Sequence, residues 1–196
     1  MLFPKDEVWE LFKSWAIVTL VFTIAYASDA FDGPPIDVAA YVLFVFIASG
    51  IGAGSGFLLH EIAHKMVAQH YGLEAQYKGN DSVPIISIFV AFAGWILLAP
   101  GAVHIRGRTI GRNASAYISA AGPATNIALA AAFLPALAVT SGLVQDIAWF
   151  GFKINSWLAL FNLLPVPGFD GQKLLASDKV LYLSLAAAAV YLVYFL

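Results

Sequence analysis

The residues with the clearest chemical potential are His60-Glu61-Ile62-Ala63-His64, an H-E-x-x-H sequence. The apolar residues that precede it predict a helix, on which side chains four positions apart share one face. The imidazoles of His60 and His64 can therefore hold one zinc ion between them. Glu61 lies beside that face, where its carboxylate can take a proton from a water molecule that the metal activates. The pattern predicts metal-assisted hydrolysis, although these five residues also occur by chance, and a polar helix end at a membrane surface is the simpler alternative.

A third metal ligand is needed, because catalytic zinc usually has three protein ligands and one water. The chain has no cysteine, so the candidates are histidine and carboxylate side chains: His70, Glu74, Asp81, His104, Asp170 and Asp178. Asp170 differs from the others because it follows a helix end that Pro165 and Pro167 interrupt. Gly168 and Gly171 would let the chain turn there. Taken alone, this segment favours a structural turn over a ligand.

The composition indicates a membrane protein. Apolar residues make up 61% of the chain and charged residues 11%, compared with about 45–50% and about 25% in soluble domains. The lipid bilayer is therefore the expected environment. The net charge of −2 provides no basic face for phosphates, so no nucleic-acid partner is expected.

Five apolar stretches are long enough to cross a bilayer, which takes about 20 residues: residues 12–29, 38–70, 113–140, 146–166 and 179–196. They predict an all-α membrane bundle of about five to six transmembrane helices, in a single domain over residues 1–196. The H-E-x-x-H sequence falls toward one end of the second stretch.

The segment 82–104 is apolar enough to be a further span, but Pro84, Gly94, Pro100 and Gly101 interrupt it. Its β-branched and aromatic residues favour strands. We therefore predict a small non-spanning segment, β-structured or re-entrant, between the second and third spans.

The charge distribution supports this topology and predicts the orientation. The loops 29–37 and 140–146 on one side contain no Lys or Arg. Nine of the ten basic residues then lie on the other side: Lys5, Lys13, Lys65, Lys78, Arg106, Arg108, Arg112, Lys173 and Lys179. By the positive-inside rule that side is cytoplasmic.

Three motifs together resemble the site-2 protease family of intramembrane zinc metalloproteases. Besides H-E-x-x-H, the family's N-x-x-P-x-x-x-x-D-G is matched by Asn162, Pro165, Asp170 and Gly171. Its G-P-x-x-N is matched by Gly122-Pro123-Ala124-Thr125-Asn126. The motifs occur in the family's order, between about residues 38 and 175.

The resemblance implies one zinc ion per chain, bound by His60, His64 and Asp170, with Glu61 as the general base. It also implies that Asn126 binds the substrate or stabilises the oxyanion, with an interhelical hydrogen bond as the alternative. Members of the family often carry a PDZ or CBS domain, and we expect neither here.

The ligand set and the topology constrain each other. If residues 82–104 crossed the bilayer, His60 and Asp170 would lie about 30 Å apart, whereas zinc ligands lie about 2 Å from the ion. We therefore expect a multi-pass protease of a prokaryotic cell membrane, with its active site toward the cytoplasm. It would hydrolyse peptide bonds within or near transmembrane segments of other membrane proteins. A membrane zinc-binding or transport protein is the alternative, and Glu61 favours the enzyme.

Overall fold

A computed structural model describes residues 3–27, 37–80, 83–92, 96, 100–107 and 110–196. Parts of the predictions lie outside these residues. They are most of the acidic loop 29–37, the candidate ligand Asp81, the basic residue Arg108, and residues 82, 93–95 and 97–99 of the predicted non-spanning segment.

The described chain is mostly helical, with one small sheet. The helices are α1 (Lys5–Ala27), α2 (Val38–His70, with a π-helical segment at Gly50–Gly54), α3 (Val83–Ala91), α4 (Arg112–Val139), α5 (Leu143–Asn162), α6 (Asp170–Ser177) and α7 (Lys179–Tyr194). The strands are β1 (Glu74–Gly79) and β2 (Gly101–Arg106).

A helix overlaps each of the five stretches that the sequence predicts as spans. Among the described residues, α1, α2 and α4 are both long and apolar enough to cross a membrane. Helix α5 has 20 residues and α7 has 16. By length and composition the described chain therefore has three candidate membrane spans, and the predicted count of five to six is not confirmed.

The two strands pair antiparallel from Glu74 opposite Arg106 to Gly79 opposite Gly101. The chain between them therefore leaves the sheet and returns to it at neighbouring positions. Helix α3, which lies in this excursion, has 9 residues and is about 14 Å long. The bilayer core is about 30 Å thick, so α3 is too short to cross it.

The prediction of β structure or a re-entrant turn for 82–104 matches β2, but Val83–Ala91 is helical. A helix satisfies its backbone hydrogen bonds internally, whereas a strand needs a partner. The sheet has two strands in the described chain. An apolar segment without a partner strand gains more from forming a helix, whatever its β-branched content.

Glycines in the middle of α2 allow neighbouring helices to approach closely. A Cβ added at Gly52 would lie 3.0 Å from the Cα of Gly151 on α5. One added at Gly54 would lie 2.8 Å from the indole of Trp15 on α1. Small residues let helix backbones approach closely. The α2 helix is thereby held between α1 and α5.

The strand pairing can be tested by crosslinking, because the chain has no native cysteine. Gln76 and His104 are directly opposite and exposed. Cα atoms of opposed residues lie about 4.5–5.5 Å apart, within the range that a disulfide spans. The pair Gln76→Cys/His104→Cys should therefore crosslink rapidly when native membranes are oxidised.

The matched control is Gln76→Cys/Ala102→Cys, in which the second cysteine is shifted by two residues along β2. Diagonal neighbours are about 7–8 Å apart, so this pair should crosslink much more slowly. Equal rates for the two pairs, measured by a gel-mobility shift, would contradict the register.

Candidate functional site

Two histidines from one face of α2 form the base of the site. His60 and His64 are buried, and their ring centroids lie 4.7 Å apart. This closeness follows from their spacing, because side chains four residues apart on a helix are neighbours. The prediction that both imidazoles share a helix face is confirmed.

Asp170 reaches the histidines because the chain reverses after α5. The helix ends at Asn162, Pro165 and Pro167 follow in the turn, and Gly168 has a φ of 96°. That value lies in the left-handed region, which favours glycine. A Cβ added at Gly171 would overlap the carbonyl oxygen of Leu163. The segment is thus a structural turn whose function is to place Asp170 at the first position of α6.

Three ligand atoms converge at this point. The Nε2 atoms of His60 and His64 are 3.0 Å apart, and Oδ2 of Asp170 lies 3.2 Å and 3.0 Å from them. Two atoms that are each about 2.0–2.1 Å from a tetrahedral zinc ion lie about 3.3 Å apart. The triangle therefore has close to the dimensions that one tetrahedral zinc ion requires.

The hydrogen bonds behind the two imidazoles define the tautomer of the neutral rings. Nδ1 of His60 lies 2.6 Å from Oδ1 of Asn126, and Nδ1 of His64 lies 2.6 Å from the carbonyl oxygen of Ile118. Both oxygens can only accept, so each Nδ1 carries a hydrogen. A neutral imidazole then presents a lone pair at Nε2. Two such lone pairs and a carboxylate oxygen converge on one point, so the donor set fits a cation.

The carboxyl group of Asp170 is suited to the same role. Burial would raise its pKa, but hydrogen bonds and positive charge at the two Nε2 atoms, which a proton supplies when no metal is bound there, outweigh burial and hold that pKa well below its ordinary value. The carboxylate is therefore ionised at neutral pH. His104, the alternative third ligand, is exposed on β2. Within the described chain, His60, His64 and Asp170 form the group that could hold a metal ion.

Glu61 lies beside the ligands, as predicted. It is 8% exposed, and its Oε2 accepts a hydrogen bond of 3.1 Å from the backbone N–H of Val103 on β2. Glu61, the three ligands and part of β2 line a cavity of about 500 Å³. Lys173 of α6 also lines this cavity. The candidate base thus faces an opening large enough for a peptide segment.

Asn126 is fully buried and lines the same cavity. Its Nδ2 donates to the carbonyl oxygen of Gly56 at 3.2 Å and to Oδ1 of Asn155 at 3.0 Å, while its Oδ1 faces His60. Its predicted role in substrate or oxyanion binding stays a prediction. The geometry shows a contact to a metal ligand of the kind that fixes a histidine's tautomer.

Asn155 is a residue that the sequence analysis missed. It is 1% exposed, and its Nδ2 donates to the carbonyl oxygens of Gly52 and Gly151. It thereby connects α5 to Asn126 and to α2. The available signal was an amide side chain in the interior of an apolar helix, since such groups face the bundle interior and find partners there.

Comparison with known proteins identifies relatives across most of the chain. The chain is 35% identical to MJ0611 of Methanocaldococcus jannaschii, over 84% of this chain and 85% of that protein. It is 31% identical to YwhC of Bacillus subtilis, over 75% of this chain and 73% of that protein. Rip3 of Mycobacterium tuberculosis is 29% identical over 82% of this chain but only 38% of its own length. All three are named as candidate zinc metalloproteases. No family model and no solved structure matches the chain.

The site predicts a strict requirement for glycine at position 122. A Cβ there would overlap Nε2 of both His60 and His64. Gly122→Ala should therefore lower zinc affinity at least about tenfold, as changes around metal ligands do. Alanine favours helix over glycine by about 1 kcal/mol, so α4 itself should not be weakened.

The control is Gly111→Ala just before α4, where an added Cβ has nothing within 4 Å. This variant should bind zinc like the wild type in a competition titration with a chromogenic chelator. Wild-type affinity in Gly122→Ala would show that the helices are farther apart than the structure places them.

Proposed function

This chain belongs to the site-2 protease family of zinc metalloproteases, and on that basis we propose that it cleaves peptide bonds within or near transmembrane segments of other membrane proteins. The observation that carries the proposal is the position of the site. Two ligands and the candidate base lie on α2, a helix of 33 residues that is apolar enough to cross a membrane. A hydrolase built into such a helix can reach substrates that lie in the bilayer.

The proposed topology has five crossing helices, α1, α2, α4, α5 and α7, with the excursion between β1 and β2 returning to the face that it left. The pairing of Gly79 with Gly101 supports this. The ligand geometry supports it too, because a metal ion shared by His60, His64 and Asp170 requires the end of α2 and the start of α6 to lie on the same side of the membrane. The basic residues make that side cytoplasmic. The prokaryotic relatives support a prokaryotic cell membrane.

Lys153 is the basic residue that this topology leaves inside a span. Its Nζ lies 4.6 Å from the centroid of the Trp149 ring. Trp149 is one turn nearer to the start of α5, which the topology places at the outer surface. The side chain thus extends from the middle of α5 toward the outer interface, as a snorkelling lysine does.

The catalytic roles follow from the donor set. His60, His64 and Asp170 hold the metal. A bound zinc ion supplies Lewis-acid activation of water and of the scissile carbonyl group. Glu61 accepts a proton from the attacking water and passes it to the amine that leaves when the C–N bond breaks. Asn126 could stabilise the oxyanion only by releasing one of its two amide hydrogen bonds.

The outer edge of β2 provides a place for an extended substrate. The N–H of Tyr77 on β1 points away from β2 and toward α1, where it donates a hydrogen bond to Glu7. Val103, which is opposite Tyr77, therefore turns its own N–H away from β1, to Glu61. Gly101, Val103 and Ile105 line the cavity. A peptide that pairs with this edge would lie beside the metal ligands and the base.

The role of Glu61 is tested by Glu61→Gln. The amide keeps the shape of the side chain but cannot take the proton, so cleavage should fall by about 10²–10⁴ while zinc content stays at one ion per chain. Both are measured on purified protein in lipid vesicles, by mass spectrometry of a transmembrane test substrate and by elemental analysis. Retained cleavage with zinc bound would remove Glu61 from the base role, and a wild type that binds zinc but cleaves nothing would favour a transport or binding function.

The role of Asp170 is tested by Asp170→Ala against Asp178→Ala. Asp178 caps α7 by accepting from the N–H groups of Val180 and Leu181, so its loss should cost about 1 kcal/mol of stability and no zinc. Asp170→Ala should lose most of the bound zinc and the cleavage with it. Full zinc occupancy in Asp170→Ala would show that another group is the third ligand.

A further inference from the structure

A buried ion pair joins α1 to the metal-binding helix. Nζ of Lys65 lies 2.6 Å from Oε2 of Glu7, and the two side chains are 2% and 0% exposed. The ring of Phe3 covers Nζ at 4.1 Å. Apolar pairs of similar size often stabilise a fold as well as a buried ion pair or better. Stability alone therefore does not account for charges at this position.

The second oxygen of Glu7 makes a different contact. Oε1 accepts a hydrogen bond of 2.8 Å from the backbone N–H of Tyr77 on β1. Tyr77 is itself buried, and its hydroxyl lies 2.7 Å from the hydroxyl oxygen of Ser14, also on α1. Strand β1 is thus attached to α1 through both its backbone and a side chain.

These contacts continue through the sheet to the active site. Tyr77 is paired with Val103, whose N–H donates to Glu61. Lys65 directly follows His64 on the helix that carries Glu61. The single carboxylate of Glu7 therefore holds both parts that must meet at the cavity: the strand that faces it, through Tyr77, and the metal-binding helix, through Lys65.

We propose that Glu7 is a positioning residue for the substrate. Its carboxylate fixes the distance between the outer edge of β2 and Glu61, and Lys65 provides the countercharge that allows this carboxylate to be buried. The inference rests on the proposed protease function, in that it takes the β2 edge as the place where the substrate peptide pairs. It assigns Glu7 no contact with the substrate or the metal.

Two double variants separate the hydrogen bond from the ion pair without leaving an unpaired buried charge. In E7Q/K65M the new side chain still offers an oxygen to the Tyr77 N–H. In E7L/K65M a side chain of similar size offers none. The two proteins thus differ in the acceptor for β1 and in the amide NH2 group that accompanies it.

In zinc-loaded full-length protein in vesicles, E7L/K65M should show a KM about tenfold above that of the wild type, the equivalent of one lost hydrogen bond. Its kcat and zinc affinity should change little. E7Q/K65M should stay within about threefold of the wild-type KM. A general loss of stability would not produce this split between KM and zinc affinity.

Hydrogen exchange provides a readout that does not depend on cleavage. The amides of Tyr77 and Val103 should exchange about tenfold faster in E7L/K65M than in the wild type, and at near wild-type rates in E7Q/K65M. If the wild type cleaved no transmembrane substrate, the protease proposal would fail while this measurement still tested the attachment of the strand.

Three results would overturn the inference. The first is wild-type KM and exchange in E7L/K65M. The second is equal loss in both double variants, which would make the ion pair and not the hydrogen bond responsible. The third is loss of zinc from E7L/K65M, which would mean that Glu7 acts on the metal site.

Discussion

Three electron-pair donors from distant parts of the chain converge within 3.2 Å of one another, and this convergence is the constraint that the rest of the structure serves. Two neutral imidazole nitrogens and a carboxylate repel one another unless a cation lies between them. Each of these three side chains must therefore be fixed by its other contacts. Asn126 and the Ile118 carbonyl hold the two imidazoles, and the turn after α5 holds Asp170. Helix α4, which supplies both hydrogen-bond acceptors, can come this close because residue 122 is glycine.

The polar groups that hydrogen-bond to the ligands need hydrogen-bond partners of their own, because an apolar helix bundle offers them no water. The π-helical segment of α2 contributes to the solution. Its geometry departs from the i to i+4 ladder, and two of its carbonyl oxygens accept from outside donors, Gly50 from Trp15 and Gly52 from Asn155. Asn155 can then accept from Asn126, which accepts from His60. The run of glycines is thus more than a packing surface, since it also lets side-chain amides reach the helix backbone.

The sequence predicted the helices well and the contacts between them poorly, for a physical reason. Apolar stretches identify spans because the bilayer requires about 20 apolar residues. The i, i+4 rule brings His60 and His64 together without any knowledge of the fold. Asp170 required the family resemblance, since 106 residues separate it from His64. No local pattern predicts that Glu7 meets Lys65, because such pairs depend on how helices from different parts of the chain pack. The helix at Val83–Ala91 was missed because intrinsic β preference is weaker than the need to satisfy a backbone that has no partner strand.

Within the described residues no strand pairs with the outer edge of β2, and an unpaired strand edge attracts other strands. Here the edge lines the catalytic cavity, and its central N–H at Val103 is occupied by the carboxylate of Glu61. A substrate peptide that extends the sheet needs that same N–H for its own carbonyl oxygen. Pairing of the peptide would therefore release the carboxylate at the moment when an extended backbone arrives beside the metal ligands. In the proposed mechanism the strand that binds the substrate and the base that activates water are coupled through one hydrogen bond, so their relative position has to be fixed from outside the cavity, where α1 lies.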